Sequence, residues 1–262
     1  MFLLLPAALG ASTTVEASLT WDQVGLALGG EDAIAQGVEH LVAGPDGLLA
    51  LYDSVLREVV VLDGGEVAWS FPVRLTTDLV FTATGELATI DTPAREVALW
   101  SVDGVELARV ALPALVPTHV SLAIDGTELV GVDLFGNHHA VAGLDHGELV
   151  PSARPPLEEI ASEVSWIPES RTMVSEGFSL ELPEAVKASG QRQGDWLVVD
   201  AVKPGAGPIQ VSHTAWHVPT GQSVELPMDR LYAPRGEITH QAGDLLVLVP
   251  RLDGPQVLRV SP

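Results

Sequence analysis

The chain has 262 residues, enough for one domain with a large core, and its 47% hydrophobic content with only 5% aromatics leaves Val, Leu and Ala to fill that core. Asp and Glu outnumber Lys and Arg by 35 to 13, a formal charge of −22 that repels nucleic acid and anionic membrane and argues against both as partners. There is no cysteine, so disulfides, thiolate catalysis, Cys-ligated zinc and a lipidated Cys anchor are excluded.

The first element is an apolar run, Phe2–Leu9, inside MFLLLPAALGAS. Small residues at Ala8 and Gly10 suit a cut after Gly10, so residues 1–12 read as a signal peptide that lacks its basic start, with 13–262 as a single domain. The chain is therefore expected to be exported, periplasmic or extracellular. No apolar stretch is long enough for a transmembrane segment.

Thr14–Leu28 alternates apolar and polar residues in part and precedes a repeat. The repeat aligns on turn glycines: Gly47 to Asp53 (GLLALYD), Gly85 to Asp91 (GELATID) and Gly126 to Asp133 (GTELVGVD). Each glycine follows a short apolar run, and each Asp precedes a polar turn and a further strand. Four short strands per unit of roughly 40 residues is the pattern of a propeller blade, whose faces are covered only by its neighbours. Pro151–Pro156 is a linker between blades. A fourth copy begins near Glu163, with Ser170 in place of the turn glycine and Glu176 in place of the Asp. Glu184–Gly194 is polar and reads as a long loop, and Asp195–Asp200 as a strand ending in Asp. A hairpin turns at Pro219-Thr220-Gly221, and the last copy, around GDLLVLVPRLDGPQVLRV from Gly243, ends without a fourth strand.

These features predict an all-β fold: a β-propeller of six blades of four antiparallel strands, or five if the polar loop hides no first strand. Ala17–Leu28 is expected to pair with the C-terminal blade and close the ring; the alternative is a free N-terminal arm.

The segments PDGLLALYDSVLREVVVLDGGEVAWSF and PTHVSLAIDGTELVGVDLFGNHHAV resemble blades of the NHL family of propellers, over about 37–150. The first two copies have a shorter polar turn and lack its Asn; Asn137-His138 in the third keeps it. The resemblance implies a propeller, and NHL-like repeats serve scaffolds, ligand binders and a few lyases, so it selects no single function.

The strand-end acids Asp53, Asp91, Asp133 and Asp200, with Glu176 as a variant, read as turn-holding groups that accept backbone N–H bonds. Asp53 with Arg57 and Asp91 with Arg95 would form local charge pairs. His213 and His217 are four apart on a strand, about 13 Å at ~3.3 Å per residue, too far for one ion to bridge. His138 and His139 point to opposite faces. G-x-S-x-G, H-E-x-x-H, P-loop, dinucleotide and EF-hand signatures are absent. With Asn137 the only asparagine, the metal site of regucalcin-like lactonases cannot be assembled in its usual form.

Seven residues before each turn position stand His40, Asp78, His119 and Glu163. On innermost strands these would form a ring at one mouth of the central channel. Two imidazoles and two carboxylates suit a divalent ion, zinc or calcium. The alternative is that they cap strand starts. Two functions are compatible with these features: a non-catalytic monomeric module that binds a protein, peptide or glycan on one face and needs no cofactor, or a metal-dependent lyase or hydrolase at the channel mouth.

Overall fold

The computed structural model describes residues 11–25, 37–76, 78–91, 93–117, 120–133, 137–145, 147–159, 164–204, 210–227, 238–251 and 253–262. Among them there is no α-helix, only a 3₁₀ turn at Pro45–Gly47, and everything else regular is strand. The strands form six separate antiparallel sheets.

Strand β1 (Ser12–Ser18) comes first in the chain but belongs to the last sheet. The next sheet runs β2 (Val38–Ala43), β3 (Leu49–Asp53), β4 (Glu58–Asp63), β5 (Glu66–Pro72). It is followed by β6 (Asp78–Phe81), β7 (Leu87–Asp91), β8 (Glu96–Trp100), β9 (Glu106–Ala111). Then come β10 (Ser121–Asp125), β11 (Glu128–Val132), β12 (His138–Asp145) and β13 (Glu148–Val150), with the short β14 (Leu157–Glu158) also on β12. A three-stranded sheet holds β15 (Val164–Ile167), β16 (Thr172–Ser175) and β17 (Phe178–Glu181). The fifth sheet has four strands: β18 (Lys187–Gln193), β19 (Trp196–Lys203), β20 (Gln210–His217) and β21 (Gln222–Glu225). The last sheet is β22 (Ile238–Gln241), β23 (Asp244–Val249), β24 (Gln256–Ser261) and, outermost, β1.

The first strands of these sheets pack side by side in the order β15, β18, β22, β2, β6, β10. In the second strands β3 and β7 every residue is buried. Apolar clusters join the faces of neighbouring sheets. One joins the last sheet to β2–β5, one β2–β5 to β6–β9, and one β6–β9 to the β10 sheet. Others join the β15 sheet to β18–β21 and β18–β21 to the last sheet. No sheet could cover both its faces alone.

Three expectations shift. The N-terminal pairing involves Ser12–Ser18, matched to Gln256–Ser261, and so starts before Ala17. Beyond it the chain turns, with Gln23 and Val24 donating their amides to the Thr20 carbonyl; Leu26–Leu28 lie outside the described residues. The polar stretch Glu184–Gly194 is mostly strand β18, its seven residues each paired to β19. Its alternate side chains Lys187, Ser189 and Gln191 face solvent while Ala188 is buried, so pairing with a strongly apolar neighbour overrides a weak local propensity. Strand β19 does not end at Asp200 but continues to Lys203.

Candidate functional site

His40 and Asp78 occupy one register. His40 pairs with Tyr52 on β3, Asp78 with Ile90 on β7, and these partners each precede a strand-end Asp. The first strands β2 and β6 are neighbours, which brings His40 Nδ1 to 3.7 Å from Asp78 Oδ1. The His40 ring stacks on Tyr52, with centroids 6.1 Å apart and planes 24° apart. Tyr52 is fully buried, and burial pushes its phenol above the ordinary value.

Asp78 is heavily used. Its Oδ1 accepts the Leu79 amide at 2.8 Å, and its Oδ2 accepts the Leu122 amide on the next sheet at 2.7 Å. The carboxylate thus ties the start of β6 to β10.

His119 and Glu163 lie outside the described residues. The neighbouring register is described, and a count of seven does not follow it. The hairpin between first and second strands has five residues in the first two repeats (44–48 and 82–86), two in the third (126–127) and four in the fourth (168–171). The residue paired to the position before the acid is therefore Ser121 in the third repeat, opposite Val132, and Val164 in the fourth, opposite Ser175. In the following sheet it is Gly190, opposite Val199. Ionisable groups at this register thus give way to a serine, a valine and a glycine. Among the described residues no three His, Cys, Asp or Glu side chains gather as metal ligands, so these residues do not supply a complete site.

The strand-end acids bind backbone. Asp53 Oδ1 accepts the amides of Val55 and Leu56, each at 2.9 Å, and Oδ2 the amide of Gly25 at 2.5 Å. Asp91 accepts the Ala94 amide at 2.8 Å. The Arg95 guanidinium turns away from Asp91 and donates to the carbonyls of Pro113 and Val116. Asp133 accepts from the Asn137 amide at 3.0 Å and its side-chain Nδ2 at 3.1 Å, and lies 3.0 Å from Nε2 of the buried His139. Glu176 is exposed in the two-residue turn between β16 and β17.

Asp200, inside β19, faces His213 directly across the ladder, with Oδ1 2.6 Å from Nδ1. Sequence reading missed this pair: Pro204-Gly205 and Gly207-Pro208 mark a turn between β19 and β20, but they do not fix which residues of the two strands stand opposite each other. His217 instead meets the Thr220 hydroxyl at 2.9 Å and packs on Trp196. The two histidines of β20 serve separate local contacts.

No protein-family model matches the chain, and no curated protein matches its sequence. Among solved structures it is similar to a catalytically inactive virginiamycin B lyase from Staphylococcus aureus with quinupristin, at a TM-score of 0.51 and 9% identity, over 96% of this chain and 100% of that one. It also matches a streptogramin B lyase structure (TM-score 0.48, 11% identity, 93% and 99% of the two chains). A third match is BamB from Moraxella catarrhalis (TM-score 0.37, 11% identity, 95% and 99%). At such identities likeness speaks to fold alone. Six antiparallel sheets with packed first strands and this likeness make the chain an all-β, propeller-type protein.

Proposed function

We propose that the chain is a non-catalytic binding module: an exported, acidic, NHL-like propeller of six blades, closed by the β1–β24 pairing, that works as a monomer. Its ligand is a protein, peptide or glycan held on one face. The observation that supports this most is the use of Asp78, whose two oxygens hold backbone amides of two different sheets. A carboxylate so engaged is a strap between strands, and the register around it turns to Ser121, Val164 and Gly190. The charge of −22 favours a ligand with basic groups. Export rests on the apolar run Phe2–Leu9 and the small residues after it.

A second reading, a metal-dependent lyase or hydrolase at the channel mouth, is favoured by the approach of His40 to Asp78 at 3.7 Å. It needs His119 and Glu163 to complete a zinc or calcium site. Elemental analysis of the purified full chain separates the two. The binding module is expected metal-free, with one melting temperature in the presence and absence of EDTA. A tightly held stoichiometric divalent ion whose removal lowers the melting temperature overturns it.

A further inference from the structure

Among the described residues the sheet that begins at β15 has three strands. Its inner position is filled, because β15 packs on β18 as the other first strands pack on one another. Among the described residues nothing pairs with the outer side of β17, whereas the other five sheets each have a fourth strand.

The two-residue hairpin sets which backbone groups are left over. Ser175 and Phe178 flank the turn, and the Leu182 amide bonds to the Arg171 carbonyl at 2.8 Å. Phe178, Leu180 and Leu182 therefore direct their backbone groups toward β16, and the alternation of an antiparallel ladder turns those of Ser179 and Glu181 outward. Both residues are exposed.

A groove runs beside this edge. Its volume is about 240 Å³, and its walls include Glu181 and Glu184 on one side and Val199, Lys203, Thr214 and Trp216 on the other, with Lys203 Nζ 3.8 Å from Glu184 Oε2. Another pair of sheets shows what can fill this place. In the first pair of sheets Phe71 of the outermost strand β5 lies on Trp100 of β8, ring centroids 5.3 Å apart. Trp216 stands on β20, the same third-strand position of its own sheet, with no outermost strand before it among the described residues. Its indole N–H is buried without a hydrogen-bond partner.

We propose that the outer edge of β17 accepts an extended peptide segment of a basic partner protein as a fourth strand. Main-chain bonds form to Ser179 and Glu181, alternate apolar side chains lie in the groove against Val199, Thr214 and Trp216, and a Lys or Arg side chain meets Glu181, Glu184 being already beside Lys203. Charge selects this occupant over a second copy of the chain. Two β17 edges laid together would bring acidic strands of a −22 molecule side by side, and like charges across a strand pair are destabilising. The proposal names a surface and a partner class for the binding role given above and rests on that role.

The test uses the full chain with the blocked peptide Lys-Val-Arg-Val-Lys-Val-Arg-Val and its Glu-for-Lys/Arg counterpart. Affinity is read by calorimetry and the contact site by amide hydrogen exchange. The basic peptide is expected to bind and to slow exchange at Ser179 and Glu181, and the acidic one not to bind. Ser179→Pro removes an outward N–H without touching the bonds to β16, a placement proline tolerates on an edge strand. It is expected to weaken binding at least tenfold at unchanged melting temperature, and Glu181→Lys to weaken it as well. Absence of binding, equal affinity for Ser179→Pro, or edge protection that grows with protein concentration alone overturns the edge site. Binding that protects amides elsewhere overturns the edge while sparing the binding role. A stoichiometric metal ion, read separately, overturns the binding role itself.

Discussion

Arg259 on β24 donates through Nε and Nη2 to the two carboxylate oxygens of Glu16 on β1, at 2.8 and 3.0 Å, across 243 residues of sequence. Its Nη1 reaches Asp244 on β23 at 3.0 Å, so one guanidinium spans three strands of the last sheet. The hydrogen bonds from Arg259 hold the Glu16 carboxyl below the ordinary glutamate value of 4.5. A depressed carboxylate stabilises the fold above its unfolded value and loses that contribution as pH falls through its folded value. Glu16→Gln is expected to lower stability by about 1 kcal/mol at neutral pH, the scale of a partly exposed charge-assisted pair. The gap to wild type should close below the ordinary glutamate value. Denaturant titrations at pH 7 and pH 3 check this, and an equal gap at both would refute it.

Removing residues 13–30 tests the same seam by subtraction. The deletion strips β1 from β24 and leaves that edge bare, along with the loss of Ala17, Leu19 and Val24, all buried in the cluster shared with β2–β5. A large fall in melting temperature is expected. A truncated chain that melts like the full one would show that the N-terminal strand adds nothing.

Asp78 makes a different prediction. In Asp78→Ala the Leu122 amide loses its acceptor, and β6 loses its link to β10. The expected cost is about 1–3 kcal/mol, the range for a buried donor left unsatisfied. His40→Ala with His119→Ala is expected to leave both fold and metal content unchanged. A divalent ion bound by wild type and lost from that double variant would establish the channel-mouth site instead.

The turn glycines are Gly47, Gly85 and Gly126, and all three have positive φ, at 85°, 96° and 64°. Repeat spacing and strand content were readable because these glycines punctuate strands whose apolar residues alternate. Two features were not. Strand β18 is written in Lys, Ser, Gln and Arg, and only the buried face of β19 makes it a strand. The channel-mouth register shifted because hairpins of five, two and four residues separate the same pair of strands, so a fixed offset drifts along the inner wall. The Asp200–His213 contact was hidden for a related reason: Pro204-Gly205 and Gly207-Pro208 announce a turn but not the ladder register on either side of it.

Gly65 offers a local check on packing at the N-terminal strand. It sits at φ 85° in the turn before β5, and a Cβ there would run into the Glu16 carbonyl of β1. Gly65→Ala combines left-handed strain of about 1–2 kcal/mol with that collision. It is expected to destabilise the chain by more than Gly64→Ala, whose Cβ would meet nothing. Thermal melts of the two variants side by side decide it, and equal melting temperatures would refute the contact.

Export is checked at the N-terminus. Sequencing of the natural protein is expected to begin near Ala11, one residue before β1 starts. An intact Met1 in a cytosolic fraction would refute it.

The pairing of Ser12 with Ser261 joins the earliest described strand to leave the ribosome with the last one. A growing chain can assemble the sheets between them in order, each against the one already made. It cannot finish the sheet that pairs β1 with β24 until Gln256–Ser261 has been made. Until then β1 has no ladder partner, and a segment kept waiting in this way is open to chaperones that handle unfinished chains.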